Sequence, residues 1–185
     1  MIVGIDPGMK GAIAVRCEGW TRLYDIPTMK AATVSGNNKR VQNDIDIKSL
    51  INIVANINAC WTDRPEIVVV CEHSAGLAFT SNVERGAHFD NSKTAFKKGY
   101  NFGIIRAVFT CYGLPFTHTP RPGDWKRLLK LTDAKLTYAQ KKEKARLEAI
   151  RLFPALEQFL RHKKDADRAE ALLLTVWAEK KFKLK

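Results

Sequence analysis

A run of apolar residues in the middle of the chain restricts the possible folds more than any other feature. Residues 67–71 (IVVVC) are apolar throughout and follow Pro65 and Glu66. A strand with one solvated face alternates apolar and polar residues, whereas a strand that is buried on both faces does not. We therefore predict a short buried strand over residues 66–72, parallel to a neighbour, in a sheet that helices cover.

The N-terminal residues predict the neighbouring strands. Residues 2–6 (IVGID), 11–15 (GAIAV) and 20–26 (WTRLYDI) are short apolar or aromatic runs separated by turn residues. The polar, basic segment 28–43 is predicted to be a loop, and residues 116–119 are predicted to form the last strand. The predicted fold is therefore α/β, with a mixed five-stranded sheet flanked by helices.

Apolar residues recur at helical spacing between and after these strands. The predicted helices span residues 44–61, 94–112, a short stretch within 120–131, 137–153 and 163–182. The length suits one domain over residues 1–185, and no internal repeat divides it. Residues from about 121 to 164 form a basic helical insertion before the last helix.

Charge and hydropathy limit the possible partners. The formal net charge is +12 at pH 7, which favours a polyanion, and nucleic acid is the commonest one. The four cysteines are scattered without the spacing of a zinc site. No apolar run approaches membrane-spanning length, and the N-terminal residues lack a signal-peptide pattern. We therefore expect a reduced, cytoplasmic protein that binds no membrane.

Acidic residues stand at the ends of the predicted elements. Asp6 ends the first strand, Glu72 ends the buried strand, and the last helix opens with Asp165, Asp167 and Glu170. If the two strands are parallel neighbours, Asp6 and Glu72 lie side by side at one edge of the sheet. Asp167 and Glu170 are three residues apart and share one helix face. Clustered carboxylates repel one another unless cations neutralise them, and their oxygens suit Mg²⁺ or Mn²⁺.

Two simpler explanations stand beside a metal site. Asp6 could cap the turn at Pro7 and Gly8 through backbone N–H groups. The many lysines could pair with the acidic residues, although no lysine or arginine neighbours Glu72 in the sequence. Two divalent ions about 3.5–4 Å apart could instead activate water and stabilise the leaving oxygen in phosphodiester cleavage. In a basic protein, an acidic cluster of this kind indicates a nuclease.

Six motifs follow one another along the chain: GIDPG with GAIAV, VVVCEH, GYNFGIIRAVFTCYGLP, RPGDWKRLL, KKEKARLEAIRLFP and KKDADRAEALLL. Together they resemble the RuvC-type Holliday junction resolvases of the ribonuclease H-like superfamily, and the last motif resembles the plant plastid and phage-type branch. The resemblance implies a ribonuclease H-like fold and a homodimeric endonuclease that resolves four-way DNA junctions by paired symmetric nicks. It also implies two Mg²⁺ ions per site, for which Mn²⁺ is expected to substitute. The lack of a transit-peptide pattern favours a bacterial or phage-infected cytoplasm over an organelle.

The resemblance assigns the catalytic, metal-binding carboxylates residue by residue. Asp6 matches the first-strand aspartate, Glu72 the strand-end glutamate and Glu170 the final acidic residue. The fourth ligand is open between two positions. The bacterial spacing of three residues selects Asp167, whereas the plastid-like spacing of five selects Asp165, which we favour.

The resemblance also implies DNA contacts, most of them in the basic segment between Arg121 and Arg151. A solvated helix face with i,i+4 ion pairs is the simpler alternative there. The bacterial pattern has a phenylalanine wedge soon after the glutamate; here Phe79 or Phe89 could stack on bases in that role. The helix over 94–112 is expected to contribute to the dimer interface. The predicted DNA-binding residues are Lys39, Arg40, Phe79, Lys97, Lys98, Lys126, Arg127, Lys141 and Lys142.

Three other function classes compete with a junction resolvase. A phosphotransferase of the sugar kinase or actin superfamily also begins with an aspartate–glycine turn, but this chain is too short for its two lobes. A ribonuclease H-like enzyme that processes RNA would share the fold, although its chain is typically shorter. A non-catalytic DNA-binding module would not need every acidic motif position to be filled.

Overall fold

A computed structural model describes residues 1–35, 38–60, 67–74 and 92–184 of the chain. The strands are β1 (Ile2–Asp6), β2 (Ala12–Cys17), β3 (Trp20–Asp25), β4 (Thr28–Ser35), β5 (Asn38–Ile45) and β6 (Val68–Cys71). The helices are α1 (Ile47–Ala59), α2 (Ser92–Cys111), α3 (Pro122–Leu128), α4 (Tyr138–Leu152) and α5 (Ala166–Phe182). Two 3₁₀ helices, Pro154–Leu160 and Lys163–Asp165, connect α4 to α5. Every predicted helix is present, with ends that differ from the predictions by a few residues.

The central sheet has the strand order β3-β2-β1-β6. β1 is antiparallel to β2 and parallel to β6, so the predicted parallel strand is confirmed. The register pairs Ile5 with Cys71, and the N–H of Glu72 donates to the carbonyl of Ile5 over 2.9 Å. Asp6 and Glu72 therefore leave the sheet at the same edge.

The central sheet has four strands, which corrects the prediction of five. Residues 116–119 lie beside β6 but contribute only one parallel bridge, between His118 and Val70. Pro115 and Pro120 flank this segment, and proline has no N–H for a ladder. The fifth position of the sheet is thus occupied by chain that is too short to count as a strand.

The prediction of a loop over residues 28–43 is wrong, because two strands occupy most of this segment. β4 and β5 form a separate two-stranded antiparallel sheet whose last pair is Ser35 with Asn38. Exposed residues such as Met29 and Val41 show that this hairpin is not enclosed between helical layers. Its polar composition therefore lacks the hydrophobic pattern from which strands are predicted, although backbone pairing satisfies its N–H and C=O groups.

Helices cover both faces of the central sheet, as the packing of β6 shows. Successive residues of this strand point to opposite faces. Val68 and Val70 pack with α3, α4 and α5, whereas Val69 and Cys71 pack with α1 and α2. The fold class is therefore α/β, as predicted. Among the described helices, none combines the length and the hydrophobicity that a membrane crossing requires.

The approach of α5 to the sheet depends on Gly4 in the middle of β1. A Cβ atom at this position would lie 2.2 Å from the carbonyl oxygen of Ala171, so only glycine fits without a shift of the backbone. Glu170 precedes Ala171 on the same helix. The close contact at Gly4 thus brings the start of α5 against the end of β1.

Candidate active site

Asp6 is the buried carboxylate at the end of β1. It is 9 % exposed, and its Oδ1 accepts a hydrogen bond from the N–H of Gly8 over 3.0 Å. The capping role expected from the sequence is therefore present. It satisfies one carboxylate oxygen and leaves the other free to interact with α5.

Burial and neighbouring negative charge both raise the pKa of Asp6. Burial is the largest cause that raises this pKa from 3.8 to about 7. Three nearby carboxylates raise it further, Glu72, Glu170 and Asp167, and Lys142 lowers it. A cation at this position would restore the ionised form of Asp6.

The first turns of α5 supply two more carboxylates. Asp167 and Glu170 lie one turn apart, and Glu170 is only 3 % exposed. Asp6, Asp167 and Glu170 each offer one oxygen, and the three oxygens lie within 4.8 Å of one another. Residues that are far apart in the sequence thus form one compact acidic group.

Glu72 lies beside this group, at the end of the adjacent strand. Burial raises its pKa, as does Glu170, whereas Lys126 and a hydrogen bond from Trp125 lower it. The indole Nε1 of Trp125 donates to Oε2 of Glu72 over 2.7 Å. The carboxylate is therefore oriented by a side chain that is itself fully buried.

Two lysines neutralise part of the cluster. Lys126 on α3 lies 2.8 Å from Oε1 of Glu170. Lys142 on α4 lies 2.9 Å from Oε2 of Glu170 and 2.6 Å from Oδ1 of Asp167. Burial alone would lower the pKa of Lys142, but its attraction to Glu170 and Asp167 outweighs burial and raises it. Lys142 therefore stays charged between the two carboxylates.

Asp165 is also buried, but different groups surround its carboxylate. Its Oδ2 accepts a hydrogen bond from the N–H of His162 over 2.8 Å, and its Oδ1 lies 3.5 Å from Arg168. Arg168 in turn binds both carboxylate oxygens of Asp25 at 2.6 Å. Among the described residues, Asp165 is outside the 4.8 Å group to which Asp167 belongs.

The other predicted DNA-binding residues are dispersed. Lys97 pairs with Asp44 at 2.9 Å, so it connects α2 to β5. Lys98 and Lys141 are exposed. The backbones of Lys39 and Arg40 belong to β5. Phe79 and Phe89 lie outside the described residues.

Trp125 is the site residue whose role the sequence did not reveal. A tryptophan is most simply a core or interface residue, and Trp125 is indeed fully buried. A buried indole N–H needs an acceptor, and this requirement is the signal that could have linked it to a carboxylate. The neighbour Lys126, in contrast, is among the predicted DNA-binding residues.

The donor set fits a hard divalent cation. The cluster consists of carboxylate oxygens, and four acidic side chains face two ammonium groups: Asp6, Glu72, Asp167 and Glu170 with Lys126 and Lys142. Oxygen ligands with excess negative charge select Mg²⁺ or Mn²⁺ over softer ions. Asp6, Asp167 and Glu170 are placed to bind one ion together, and Glu72 adjoins them.

Comparisons with known proteins support the fold. No family model and no curated protein matches the chain. Among solved structures, T. thermophilus RuvC in complex with a Holliday junction substrate is similar, with a TM-score of 0.51 at 16% identity. The similarity covers 100% of this chain and 97% of that one. At this identity the comparison establishes a shared ribonuclease H-like fold.

Proposed function

We propose that the chain is a structure-selective endonuclease that resolves four-way DNA junctions by paired symmetric nicks. The observation that carries the proposal is the acidic group Asp6, Asp167 and Glu170, within 4.8 Å and beside Glu72, on a RuvC-like fold. An acidic cluster of this kind suits phosphodiester hydrolysis, and the net charge of +12 suits a DNA substrate.

The cluster is proposed to hold two Mg²⁺ ions, with Mn²⁺ as a substitute. When bound, the ions would supply the Lewis acidity that activates water and stabilises the leaving oxygen. The protein's own contribution is orientation. Trp125 holds Glu72, and Lys126 and Lys142 fix both oxygens of Glu170. The same two ammonium groups are positioned to attract the phosphate that is cleaved.

Asp167 is our proposed ligand from the start of α5. Its carboxylate faces Asp6 and Glu170, whereas Asp165 hydrogen-bonds the backbone of His162. The alternative, Asp165, suits the plastid-like spacing of the motif. In our proposal, Asp165 instead fixes the start of α5 and thereby the direction in which Asp167 points.

Paired nicks need two active sites, and α2 supports a homodimer. Gly99 and Gly103 lie one turn apart on it. Apart from the helix's own backbone and the chain neighbours, no described atom lies within 4 Å of a Cβ built at either glycine. A glycine inside a helix costs about 1 kcal/mol relative to alanine, and the close approach of a second α2 would explain why both are present.

The DNA surface is proposed to follow the basic residues around the cluster. Within the single domain 1–185, the insertion 121–164 would contact the backbone through Lys126, Arg127, Lys141 and Lys142. The other proposed contacts are Lys39, Arg40, Lys97 and Lys98. Phe79 is the proposed wedge.

Cleavage of defined substrates tests the proposal. A labelled four-way junction, a linear duplex and an RNA–DNA hybrid are incubated with the protein in Mg²⁺ or in EDTA. Symmetric nicks in the junction alone, lost in EDTA, are expected. Equal cleavage of the hybrid would indicate an RNA-processing nuclease, and binding without cleavage would indicate a DNA-binding module.

A further inference from the structure

A second basic surface lies beside the fifth position of the central sheet. It is a groove of about 680 Å³ between the segment 118–120, α3 and α5. Its charged lining consists of Arg127, Lys130, Lys181 and a single carboxylate, Asp124. None of the catalytic carboxylates lines it, so it is separate from the active site.

The cations of this groove are available to a ligand. Within the described part of the chain, Arg127, Lys130 and Lys181 make no ion pair, whereas Lys126 and Lys142 are both paired. Unpaired cations that converge on one groove create a positive potential there. An anion can bind them without first breaking an existing salt bridge.

Aromatic side chains make the floor of the groove rigid. His118 stacks on Phe182 with ring centroids 4.0 Å apart, and Trp177 meets the same ring edge-on at 5.6 Å. Trp177 is 7 % exposed. Aromatic side chains beside cations suit a phosphodiester chain, whose sugars are partly apolar and whose phosphates are charged.

α3 connects the groove to the active site. Trp125 and Lys126 project from one side of this short helix onto Glu72 and Glu170. Arg127, the next residue, lines the groove on the other side. A helix is about 10 Å across, so a strand that leaves the carboxylate cluster reaches the groove by crossing one helix.

We propose that this groove binds the phosphodiester backbone of the DNA arm that leaves the active site. The inference rests on the proposed nuclease function and adds a second binding surface to it. Arg127, Lys130 and Lys181 contact phosphates, and His118 and Trp177 form the floor. The arm is thereby held at a fixed angle to the cleaved strand.

Charge removal tests the groove. The full chain carrying R127Q, K130N and K181Q is compared with a control of equal charge, R22Q, K48Q and K180Q. Lys130 has a φ of 56°, a conformation that asparagine tolerates, and Lys180 neighbours Lys181 outside the groove lining. Binding to a four-way junction is measured in EDTA, which prevents cleavage, over a series of salt concentrations.

The groove variant is expected to bind the junction at least about tenfold more weakly than the control. The slope of the logarithm of its binding constant against the logarithm of the salt concentration should become less steep by about 2–3, since each phosphate contact contributes about 0.9. A photoreactive amino acid at position 181 should crosslink to the DNA arm, and one at position 180 should not. If the triple variant does not fold, K181Q against K180Q gives the same comparison.

Three outcomes would overturn the proposal. The two triple variants could have equal salt slopes, the probe at position 181 could label no DNA, or it could label a second protein chain. Wild-type protein that binds and cleaves the junction shows that a failure concerns the groove alone. Wild-type protein that does neither shows that the nuclease function has failed as well.

Discussion

The buried indole of Trp125 donates a hydrogen bond to Glu72 over 2.7 Å. This bond crosses from α3 to the end of β6 and joins two residues that are 53 positions apart in the chain. It lowers the pKa of Glu72 against the larger, opposite effect of burial. Trp125 therefore favours the ionised form of a proposed catalytic carboxylate.

Trp125→Phe should slow junction cleavage by about tenfold or more, because a hydrogen bond to a charged group is worth about 1.5–3 kcal/mol. Without the donor, the pKa of Glu72 rises further, so the acidic limb of the rate profile should move to higher pH. Single-turnover cleavage between pH 5 and pH 9 measures both effects. Trp20→Phe, at a partly buried tryptophan of β3, is the matched control, and an identical shift in that variant would contradict the assignment.

Asp6→Asn should make the metal-free protein more stable at pH 8. Folded wild-type protein holds the Asp6 proton up to about pH 7, whereas the ordinary pKa of an aspartate, which applies to the unfolded chain, is 3.8. The free energy of unfolding of the wild type therefore falls as pH rises through that window, by up to about 1.4 kcal/mol per unit. Asparagine has no such proton and keeps an oxygen for the N–H of Gly8.

Urea unfolding in EDTA at several pH values measures this effect. The two proteins should be most different near pH 8 and should converge toward pH 4. Mg²⁺ should stabilise the wild type and leave Asp6→Asn unchanged. Equal stabilities at pH 8 would show that Asp6 is not held in an unfavourable charged state.

The same substitution should abolish cleavage and preserve or tighten junction binding. Above about pH 7 the metal-free Asp6 carries negative charge toward the phosphate, so its removal relieves repulsion when binding is measured at pH 8. Binding titrations in EDTA and cleavage assays in Mg²⁺ separate the two effects. A folded Asp6→Asn protein that loses binding together with cleavage would contradict a role in metal binding.

The positions of Asp6 and Glu72 were predictable because the pairing of two short strands decides which strand ends lie side by side. The apolar run 67–71 identified a strand buried on both faces, and its parallel pairing with β1 places Glu72 beside Asp6. Only the strand order was needed, since neighbouring parallel strands end at one edge. Lys126 and Lys142 were named only as DNA contacts, on the strength of the resemblance, and the structure pairs them with these carboxylates.

Other features depend on tertiary contacts that no local pattern encodes. The hairpin of β4 and β5 is polar, and most of its described side chains are at least partly exposed, so its strands lack the alternation that marks a half-buried surface. The choice between Asp165 and Asp167 depends on where α5 begins and on its rotation about its own axis. That rotation follows from the contact between Ala171 and Gly4, which lie far apart in the sequence.

Asp167→Asn and Asp165→Asn should have different effects. Asp167→Asn removes a carboxylate from the 4.8 Å group, so it should weaken Mn²⁺ binding and abolish cleavage. Asp165→Asn keeps an acceptor for the N–H of His162 and loses only the charge near Arg168. It should reduce thermal stability and leave Mn²⁺ affinity within about threefold, which corresponds to about 0.7 kcal/mol. Calorimetric Mn²⁺ titration with the opposite ranking would make Asp165 the ligand.

Lys142→Met should destabilise the metal-free protein and leave the Mg²⁺-bound protein much less affected. The ammonium of Lys142 lies within 2.9 Å of Glu170 and Asp167, and its removal leaves these carboxylates without their shared cation. We expect a loss of about 2–3 kcal/mol in EDTA, somewhat less than for a fully buried pair because Lys142 is 20% exposed. Mg²⁺ supplies the missing charge, so it should bind Lys142→Met more tightly than the wild type and remove most of the difference in stability.

Lys141→Met, the exposed neighbour, should change stability by no more than about 0.5 kcal/mol in either condition. Chemical unfolding with and without Mg²⁺ measures all four values, and a loss that persists at saturating Mg²⁺ would show that Lys142 and the metal do not neutralise the same carboxylates.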